Sequence, residues 1–322
     1  MPASAEPHRP HPRDARPCAL VIVTHEQRPD DRLWSAVSGE IDLLVVADNS
    51  TTERMQTLVR EWVSTAPVPH VLLQSGTNRG LARAINESVA VARERGCETV
   101  VILDHDAVVG PGFFRSECQT LSELEAGALP TVGAVVPIVT DLDPSVPVPS
   151  LAHPWTPVRS IITSGTLTRI STFCSVGGLN DALFVDGVDF DFAARVRGSG
   201  RRLVRSNRVT VHQQFGEPLQ IRSPFVRVLE RVVTAFYFAG ILAGRSNSYH
   251  TRLCRYNLQR RQELVRSMHD PASAMGARRG ARRAMQWIGL FAALAVDSFA
   301  TGDHRYLRLA LSSDASALRR KV

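Results

Sequence analysis

The sequence lacks the features of an extracellular disulfide protein and of a membrane-spanning chain. Its 322 residues include five scattered cysteines without Cys-x-x-Cys or metal-ligand spacing. No apolar run reaches the roughly 20 residues that a transmembrane helix needs. Residues 1–17 are rich in proline, histidine and arginine and have no apolar segment, so they predict a disordered tail and no secretory signal. Unpaired cysteines and the missing signal indicate a cytoplasmic protein.

Lysine is almost absent, yet the chain is basic. A single lysine accompanies many arginines, the net charge is +7 and the pI is about 9.7. This excess predicts an anionic partner such as a nucleotide, a phospholipid surface or a nucleic acid, although a solvated arginine-rich face has the same composition. Nucleic acid is the least favoured of the three, because aromatics make up only 6% of the residues and do not alternate with the arginines.

The carboxy-terminal third is predicted to be helical. From residue 218 onward the chain is arginine-rich, and it contains two apolar stretches, 232–244 and 287–296, that lie beside arginines. Apolar helices next to basic residues can lie in a membrane interface, giving peripheral contact with the cell membrane. Buried helices of a bundle or of a homodimer have the same pattern, so both interpretations stay open. We place a domain boundary near residue 217.

Residues 18–217 alternate between strand and helix patterns. Such alternation is typical of an α/β fold with a mostly parallel sheet and right-handed crossovers. A proline-rich segment, 141–157, interrupts it and is predicted to be a long loop that closes over a ligand. The predicted strands are 18–24, 41–47, 70–74, 99–103, 132–140, 161–165 and 203–212, and the main helices are 30–38, 53–64, 81–95, 111–125, 171–176 and 188–197.

Two aspartates follow the most apolar of these strands. The run Val100 to Leu103 is typical of a buried parallel strand, and Asp104 and Asp106 come directly after it. Ligands of open α/β sheets bind outside the carboxyl ends of the strands. Mg²⁺ is commonly held there by one or two carboxylates together with substrate phosphates. The pair therefore predicts a site for a metal and a diphosphate, although Asp-x-Asp pairs are also frequent in ordinary loops.

The order of motifs along residues 18–216 resembles the family 2 glycosyltransferases, and most of all bacterial rhamnosyltransferases that use a dTDP-sugar. Glu26 departs from the pattern, because asparagine is common at that position. Ala47 and the segment Asn86-Glu87-Ser88 also depart from it. The motifs that carry the resemblance are Thr24, Asp48-Asn49-Ser50, Asn78-Arg79-Gly80, Asp104-His105-Asp106, Ser164-Gly165, Gly177-Gly178, Asp186-Gly187-Val188-Asp189, Arg195 and His212.

The resemblance implies a GT-A nucleotide-sugar transferase fold over residues 18–217 and an inverting sugar transfer that depends on Mg²⁺ or Mn²⁺. The donor would be a dTDP- or UDP-sugar, with L-rhamnose the first choice and galactofuranose or a hexose the alternatives. The acceptor would be a glycan, a lipid-linked glycan or a small molecule. A non-catalytic nucleotide-binding scaffold on the same fold is the rival hypothesis from another class.

The resemblance also assigns roles to individual residues. Asp189 matches the family's general base, with Asp186 and Asp191 as alternatives, although acidic residues at a helix start also favour the macrodipole. Asp48 could instead form an Asx turn, and His212 could be an ordinary surface histidine. The donor-binding residues implied are Thr24, His25, Asp48, Asn78, Arg79, Gly80, Asp104, Ser164 and Gly165, and the metal ligands implied are Asp104, Asp106 and His212.

Overall fold

The fold is known from a computed structural model, which describes three long segments and several short ones. The long segments are 17–142, 151–185 and 187–214. Nearly all of the predicted tail (1–17), residues 143–150 of the predicted loop and the apolar stretch 232–244 lie outside the described residues, as does Asp186. The short segments are 217–218, 248–249, 254–255, 262, 265, 268–269, 287, 290–291, 294, 298 and 304–311.

A single large sheet organises the protein. Its main path has the order β3-β2-β1-β4-β7-β5-β8-β6, and a ninth strand, β10, pairs with β5. A separate two-stranded sheet joins β9 to β11. The strands are β1 (Cys18–Thr24), β2 (Leu43–Asp48), β3 (His70–Gln74), β4 (Thr99–Asp104), β5 (Val132–Asp141), β6 (Trp155–Val158), β7 (Thr166–Arg169), β8 (Arg202–Gln213), β9 (Glu217–Pro218), β10 (Ser248–Tyr249) and β11 (Cys254–Arg255).

Helices cover both faces of the sheet, which is why its central strands are apolar throughout. All seven residues of β1 are buried. Leu20 and Ile22 belong to a core on one face, whereas Ala19 and Val21 belong to a core on the other. The helices are α1 (Leu33–Val37), α2 (Glu53–Ser64), α3 (Leu81–Glu94), α4 (Phe113–Glu123, continued by a π-helical turn, Leu124–Ala128), α5 (Ile170–Ser175), α6 (Val188–Gly198) and α7 (Arg305–Leu311).

Strand direction brings most strand ends to one edge of the sheet. Strands β1 to β4 are mutually parallel, and β5 and β8 are parallel to each other. Because β7 is antiparallel to both β4 and β5, β5 runs in the same direction as β4. The carboxyl ends of β1 to β5 and β8 therefore share one edge, which we call the carboxyl edge. The predicted mixed α/β fold with a mostly parallel sheet is confirmed.

The prediction is wrong in the second half of the sheet at two places. The predicted strand 161–165 is a turn, with the Thr166 amide bonded to the Thr163 carbonyl at 2.9 Å, and the strand follows as β7. Within the predicted loop, β6 pairs antiparallel with β8. This strand lies at the end of the sheet order, where Pro157 is tolerated because an edge strand need not donate every backbone hydrogen bond.

The described positions of the carboxy-terminal region form a small apolar cluster. Leu290 and Leu294, from the predicted apolar stretch 287–296, are buried in it, and Trp287 packs against it. These contacts favour the bundle interpretation over the membrane interpretation for this stretch. Across the part of the chain that the structure describes, every helix is too short or too polar to cross a bilayer. The other members of the cluster are Val265, Met268, Tyr306 and Leu309.

Candidate functional site

A buried polar network lies beneath the carboxyl edge at the ends of β1, β2 and β3. Asp48 is 1% exposed, and its Oδ1 accepts hydrogen bonds from the Thr24 hydroxyl and the Ser50 amide, each at 2.9 Å. Its Oδ2 accepts a bond of 2.8 Å from Gln74 Nε2. The bond to Ser50 closes an Asx turn. The geometry thus gives Asp48 and Thr24 partners within the protein, and their predicted donor contact stays a prediction.

The next residue, Asn49, connects this network to the predicted Asn78-Arg79-Gly80 turn. Asn49 Nδ2 donates to the Gly80 carbonyl at 3.2 Å, and Asn49 Oδ1 accepts from the Arg79 amide at 3.3 Å. Asn78 closes the turn, since its Oδ1 accepts from the Gly80 amide at 3.0 Å. His25 also reaches this segment, with Nδ1 at 3.0 Å from the Asn49 carbonyl oxygen. His25, Arg79 and Gly80, all predicted donor-binding residues, therefore hydrogen-bond to Asn49 directly, and Asn78 bonds to Gly80.

The Arg79 guanidinium forms an ion pair with Glu87. Its Nη1 lies 2.6 Å from Glu87 Oε2, and Arg83 Nε lies 3.0 Å from the other oxygen of the same carboxylate. The Arg79 side chain is 24% exposed. Glu87 stands in the Asn86-Glu87-Ser88 segment that departs from the family pattern, so this chain holds the arginine with a carboxylate of α3.

Gly80 brings the segment before α6 to the same edge. It has φ +84°, and a Cβ there would lie 2.8 Å from the Phe184 ring. The Leu81 amide donates to the Phe184 carbonyl at 2.7 Å. Because the position requires both a left-handed backbone and close approach, only glycine fits without displacement. Asp189 follows Phe184 by five residues, so this contact attaches the segment that leads to Asp189 to the Asn78-Arg79-Gly80 turn.

The Asp104-His105-Asp106 loop is attached on both sides. The Asp104 amide lies 3.3 Å from Ser164 Oγ, and the Gly165 amide donates to the Ile102 carbonyl at 2.7 Å. Ser164 is fully buried, and a Cβ at Gly165 would lie 2.4 Å from Pro137. Both residues therefore contact β4 and its neighbours closely, and their predicted place in donor binding stays a prediction.

His212 adjoins the same loop through its backbone. Its amide donates to the Val108 carbonyl at 2.9 Å and its carbonyl accepts from the Val108 amide at 2.7 Å. The ring Nδ1 lies 3.3 Å from the Asp141 carbonyl oxygen. Within the described residues, His, Cys, Asp and Glu side chains form no group of three or more that could hold a metal ion. The predicted set of Asp104, Asp106 and His212 is therefore not assembled as a three-ligand site.

Two half-buried carboxylates nevertheless fit a diphosphate-bound cation. Asp104 and Asp106 both retain some exposure to solvent. Mg²⁺ keeps several waters and usually takes one or two carboxylates plus substrate phosphates, so a complete protein cage is not required. Burial lowers the pKa of His105 between them, against the opposing effect of the Asp106 charge. The neutral imidazole is thereby favoured beside the two acids.

The first turn of α6 holds two aspartates in different surroundings. Asp191 is 1% exposed, and its Oδ2 lies 2.8 Å from Arg195 Nε and 2.7 Å from Arg195 Nη2. Arg195 also donates to the carbonyls of Val176 and Gly178, which fixes the glycine turn against the helix. Asp189 is only half-buried, and its Oδ1 accepts from the Phe190 amide at 2.8 Å. Asp191 therefore has a structural role in the ion pair, and Asp189 remains the more accessible of the two.

A cleft of about 460 Å³ opens beside Asp106. Its volume is in the range of small-ligand pockets. The loop from Gln27 to Arg32 lines one wall, where Arg28 and Arg32 pair with Asp31 and Asp30. The other lining residues are 105–108, Leu142 and Gln214. Sequence reasoning missed this loop and the last two residues. The loop could have been found from its position after β1, but Leu142 and Gln214 carry no motif.

Comparison with known proteins gives a family match for part of the chain. Residues 30–159 match the model described as Glycosyl transferase family 2. The match covers less than half of the chain and includes Asn78-Arg79-Gly80 and Asp104-His105-Asp106, but it ends before Asp189 and His212. It supports the resemblance at the level of the family 2 glycosyltransferases, and with the sheet described above it confirms the predicted GT-A fold class. No curated protein matches the chain.

Solved structures with a similar chain trace include the following two. One is GalNAc-T7 with UDP, GalNAc and Mn²⁺, with 12% identity, 64% of this chain covered and a TM-score of 0.48. The chain spans 45% of the length of that protein. The other is S. aureus TarS 1-349 in complex with UDP, with 12% identity, 94% of this chain and 86% of that chain covered, and a TM-score of 0.47.

Proposed function

We propose that this protein is a metal-dependent, inverting glycosyltransferase that moves a sugar from a nucleoside diphosphate to a hydroxyl acceptor. The observation that carries the proposal is the Asp104 and Asp106 pair at the carboxyl edge, inside the segment that matches family 2 glycosyltransferases. The loop that bears the pair is tied to Ser164 on one side and to His212 on the other. This attachment favours a defined ligand geometry over a mobile loop.

Asp106 and Asp104 would hold Mg²⁺ or Mn²⁺. The bound cation supplies Lewis-acid stabilisation of the charge that develops on the leaving diphosphate. The donor nucleotide, a dTDP- or UDP-sugar, would lie along the turns that Asn49 connects, beside Asn78, Arg79 and Gly80. Rhamnose remains the first choice of sugar on the resemblance alone.

Asp189 is proposed as the general base. The acceptor oxygen attacks the anomeric carbon, the bond from that carbon to the diphosphate oxygen breaks, and the electron pair leaves with the diphosphate. The hydroxyl proton passes to the Asp189 carboxylate, which needs hydrogen-bond reach of the acceptor. Attack opposite the leaving group inverts the anomeric centre. Asp191 is a poor alternative, because Arg195 already pairs with it.

The acceptor is proposed to be a glycan, a lipid-linked glycan or a small molecule that approaches from the α6 side. The carboxy-terminal region, 218–322, is assigned to acceptor binding, dimer formation or peripheral contact with the cytoplasmic face of the membrane. Most of that region lies outside the described residues.

Nucleotide binding by isothermal titration tests the proposal. UDP and dTDP are titrated with and without Mn²⁺ into the wild-type protein, Asp106→Asn and the control Glu94→Gln, which alters an exposed acid at the far end of α3. We expect Mn²⁺ to tighten nucleotide binding by about tenfold or more in the wild-type protein and the control, which corresponds to about 1.4 kcal/mol. Asp106→Asn should lose this gain.

Two outcomes contradict the proposal. Nucleotide binding that is independent of Mn²⁺ would favour the non-catalytic nucleotide-binding scaffold, and no nucleotide binding at all would contradict both hypotheses. Where metal-dependent binding is found, a panel of nucleotide sugars that includes dTDP-rhamnose, UDP-galactofuranose and UDP-hexoses identifies the donor by its hydrolysis.

A further inference from the structure

Glu26, two residues after the end of β1, has a backbone conformation that residues with a side chain rarely adopt. Its φ is +49°, and no other non-glycine residue in the described part of the chain has a positive φ. For a residue other than glycine, asparagine or aspartate, this left-handed region costs about 1–2 kcal/mol. Such a conformation persists only where the surroundings hold it.

The Glu26 carboxylate stabilises this conformation through hydrogen bonds to the loop after β2. Its Oε1 accepts from the Thr51 amide at 2.7 Å, the Thr51 hydroxyl at 2.9 Å and the Thr52 amide at 3.3 Å. Its Oε2 accepts from the Thr52 hydroxyl at 2.7 Å. The Glu26 amide in turn donates to Ser50 Oγ at 2.9 Å. Three successive residues of one loop are therefore bonded to this one glutamate.

These bonds keep the carboxylate ionised. The Thr51 amide, followed by the Thr52 and Thr51 hydroxyls, lowers the pKa of Glu26 to about 2. A carboxylate has about four lone-pair sites for hydrogen bonds. Three of the four bonds converge on Oε1 and one reaches Oε2, so most of the acceptor capacity of this exposed carboxylate is used to join the two loops.

The two loops joined by Glu26 both belong to the candidate site. On one side, Gln27 begins the cleft wall that faces Asp106. On the other, the segment from Asp48 to Thr52 contains Asn49, which bonds to Arg79 and Gly80. Glu26 thus directly connects the loop that forms the cleft wall to the loop that contacts the turns assigned to the nucleotide.

We propose that Glu26 is a positioning residue for the donor nucleotide: its carboxylate locks the loop after β2 against the loop after β1 and so sets the nucleotide-binding edge before the ligand arrives. This inference rests on the proposed function. A preorganised loop binds more tightly because less conformational freedom is lost on binding. The expected consequence is a change in nucleotide affinity with the chemical step left intact.

Two variants separate this role from a general contribution to folding. Glu26→Asn removes the carboxylate and places at this position a residue that tolerates positive φ, so backbone strain falls while the loop is released. Thr52→Val removes only the hydrogen bond from the Thr52 hydroxyl to Glu26 Oε2. Helix α2 should not be affected, because the Thr52 side chain makes no capping bond to it. Glu61→Gln, at an exposed position within α2, is the matched charge control.

The measurement is the dissociation constant for the tighter of UDP and dTDP in saturating Mn²⁺, together with hydrogen exchange of the backbone amides of residues 50–53. We expect the dissociation constant to rise roughly tenfold in Glu26→Asn and roughly threefold in Thr52→Val, with no change in Glu61→Gln. Amide exchange should accelerate in Glu26→Asn and slow again when nucleotide is added. With an active donor, KM should rise while kcat stays within about twofold.

The outcomes distinguish this inference from the proposed function. If the wild-type protein binds no nucleotide, the proposed function fails and this inference fails with it. If the wild-type protein binds and Glu26→Asn binds equally well, only this inference is overturned. A lower melting temperature in Glu26→Asn with an unchanged dissociation constant well below melting would assign Glu26 to stability alone. Should Glu26→Asn not fold, Thr52→Val gives the same readout.

Discussion

The acidic side chains near the carboxyl edge fall into two groups that differ in exposure. Asp48 and Asp191, here called the buried acids, are each 1% exposed and each bonded to named protein groups. Asp104, Asp106 and Asp189, here called the rim acids, are half-buried. All five stand at strand ends or in the first turn of a helix, so their positions in the sequence do not distinguish them.

The difference follows from the cost of burying charge. A carboxylate withdrawn from water loses several kcal/mol of solvation, which only good hydrogen bonds or an ion pair can offset. The buried acids meet that condition, because Asp48 accepts three hydrogen bonds and Asp191 pairs with Arg195. The rim acids keep part of their hydration, so a cation or a substrate hydroxyl can replace water at modest cost. We therefore expect substitution of a rim acid to lower activity and leave stability nearly unchanged. Substitution of a buried acid should lower stability and leave nucleotide affinity unchanged.

The largest expected effect is on turnover by a rim acid. Asp189→Asn keeps the size of the side chain but removes the base, and general base catalysis contributes about 10²–10⁴ in rate. We expect kcat to fall by that factor, with nucleotide affinity and melting temperature close to those of the wild-type protein. Steady-state kinetics with the donor found in the nucleotide-sugar screen, and titration with the matching nucleotide, measure both quantities.

A fully active Asp189→Asn would contradict this assignment. The base would then be Asp186 or Asp191, and the same kinetics on Asp186→Asn would identify it. Because Asp186 lies outside the described residues, its substitution is chosen on the sequence motif alone.

The next effect should be on stability, from a buried acid in the same helix. Asp191→Asn breaks the ion pair with Arg195 and leaves a guanidinium whose side chain is 29% exposed. Partial exposure limits the penalty, so we expect a loss of about 1–3 kcal/mol in the free energy of unfolding. Urea denaturation measures it. Nucleotide affinity should be unchanged, and a kcat loss comparable to that of Asp189→Asn would erase the distinction between the two groups.

The first half of the fold could be predicted closely from the sequence. Strands β1 and β3 and helix α2 have the predicted bounds. Strand β1 is buried on both faces and leaves a continuous apolar run, and α2 is amphipathic. The second half could not, because β6 and β7 are short and antiparallel. Their pairing with β8, β4 and β5 depends on residues distant in sequence. A local pattern carries no record of such partners.

The candidate site was predictable to a similar extent. Asp104 and Asp106 follow an apolar run, so their place at the carboxyl edge could be inferred from the sequence. The hydrogen-bond partners of Asp48 could not be inferred, since the Gln74 amide that donates to one of its oxygens belongs to another strand. The hydrogen bonds from Thr51 and Thr52 to Glu26 were equally unpredictable, because they form only where two loops distant in sequence meet.

A third kind of acid sharpens the comparison, since it is buried and makes no hydrogen bond of normal geometry to any described residue. Glu117 of α4 is fully buried, and among the described residues neither of its carboxyl oxygens has a hydrogen-bond partner. Burial, followed by the nearby Cys118 thiol, raises the pKa of Glu117 well above its ordinary value, and the Ser206 hydroxyl opposes this only in part. Here burial without partners favours the protonated form.

The sign of the pH effect follows from that shift. The folded state retains the Glu117 proton at pH values where the unfolded chain has released it, so stability declines as pH rises above about 4.5, the ordinary pKa. Glu117→Gln removes this titration. We expect equal stability of the two proteins near pH 4 and a gain of about 1 kcal/mol for the variant at pH 8. Urea denaturation at both pH values measures the difference, and a loss of stability at pH 8 would show that the Glu117 carboxylate has a stabilising partner like those of Asp48 and Asp191.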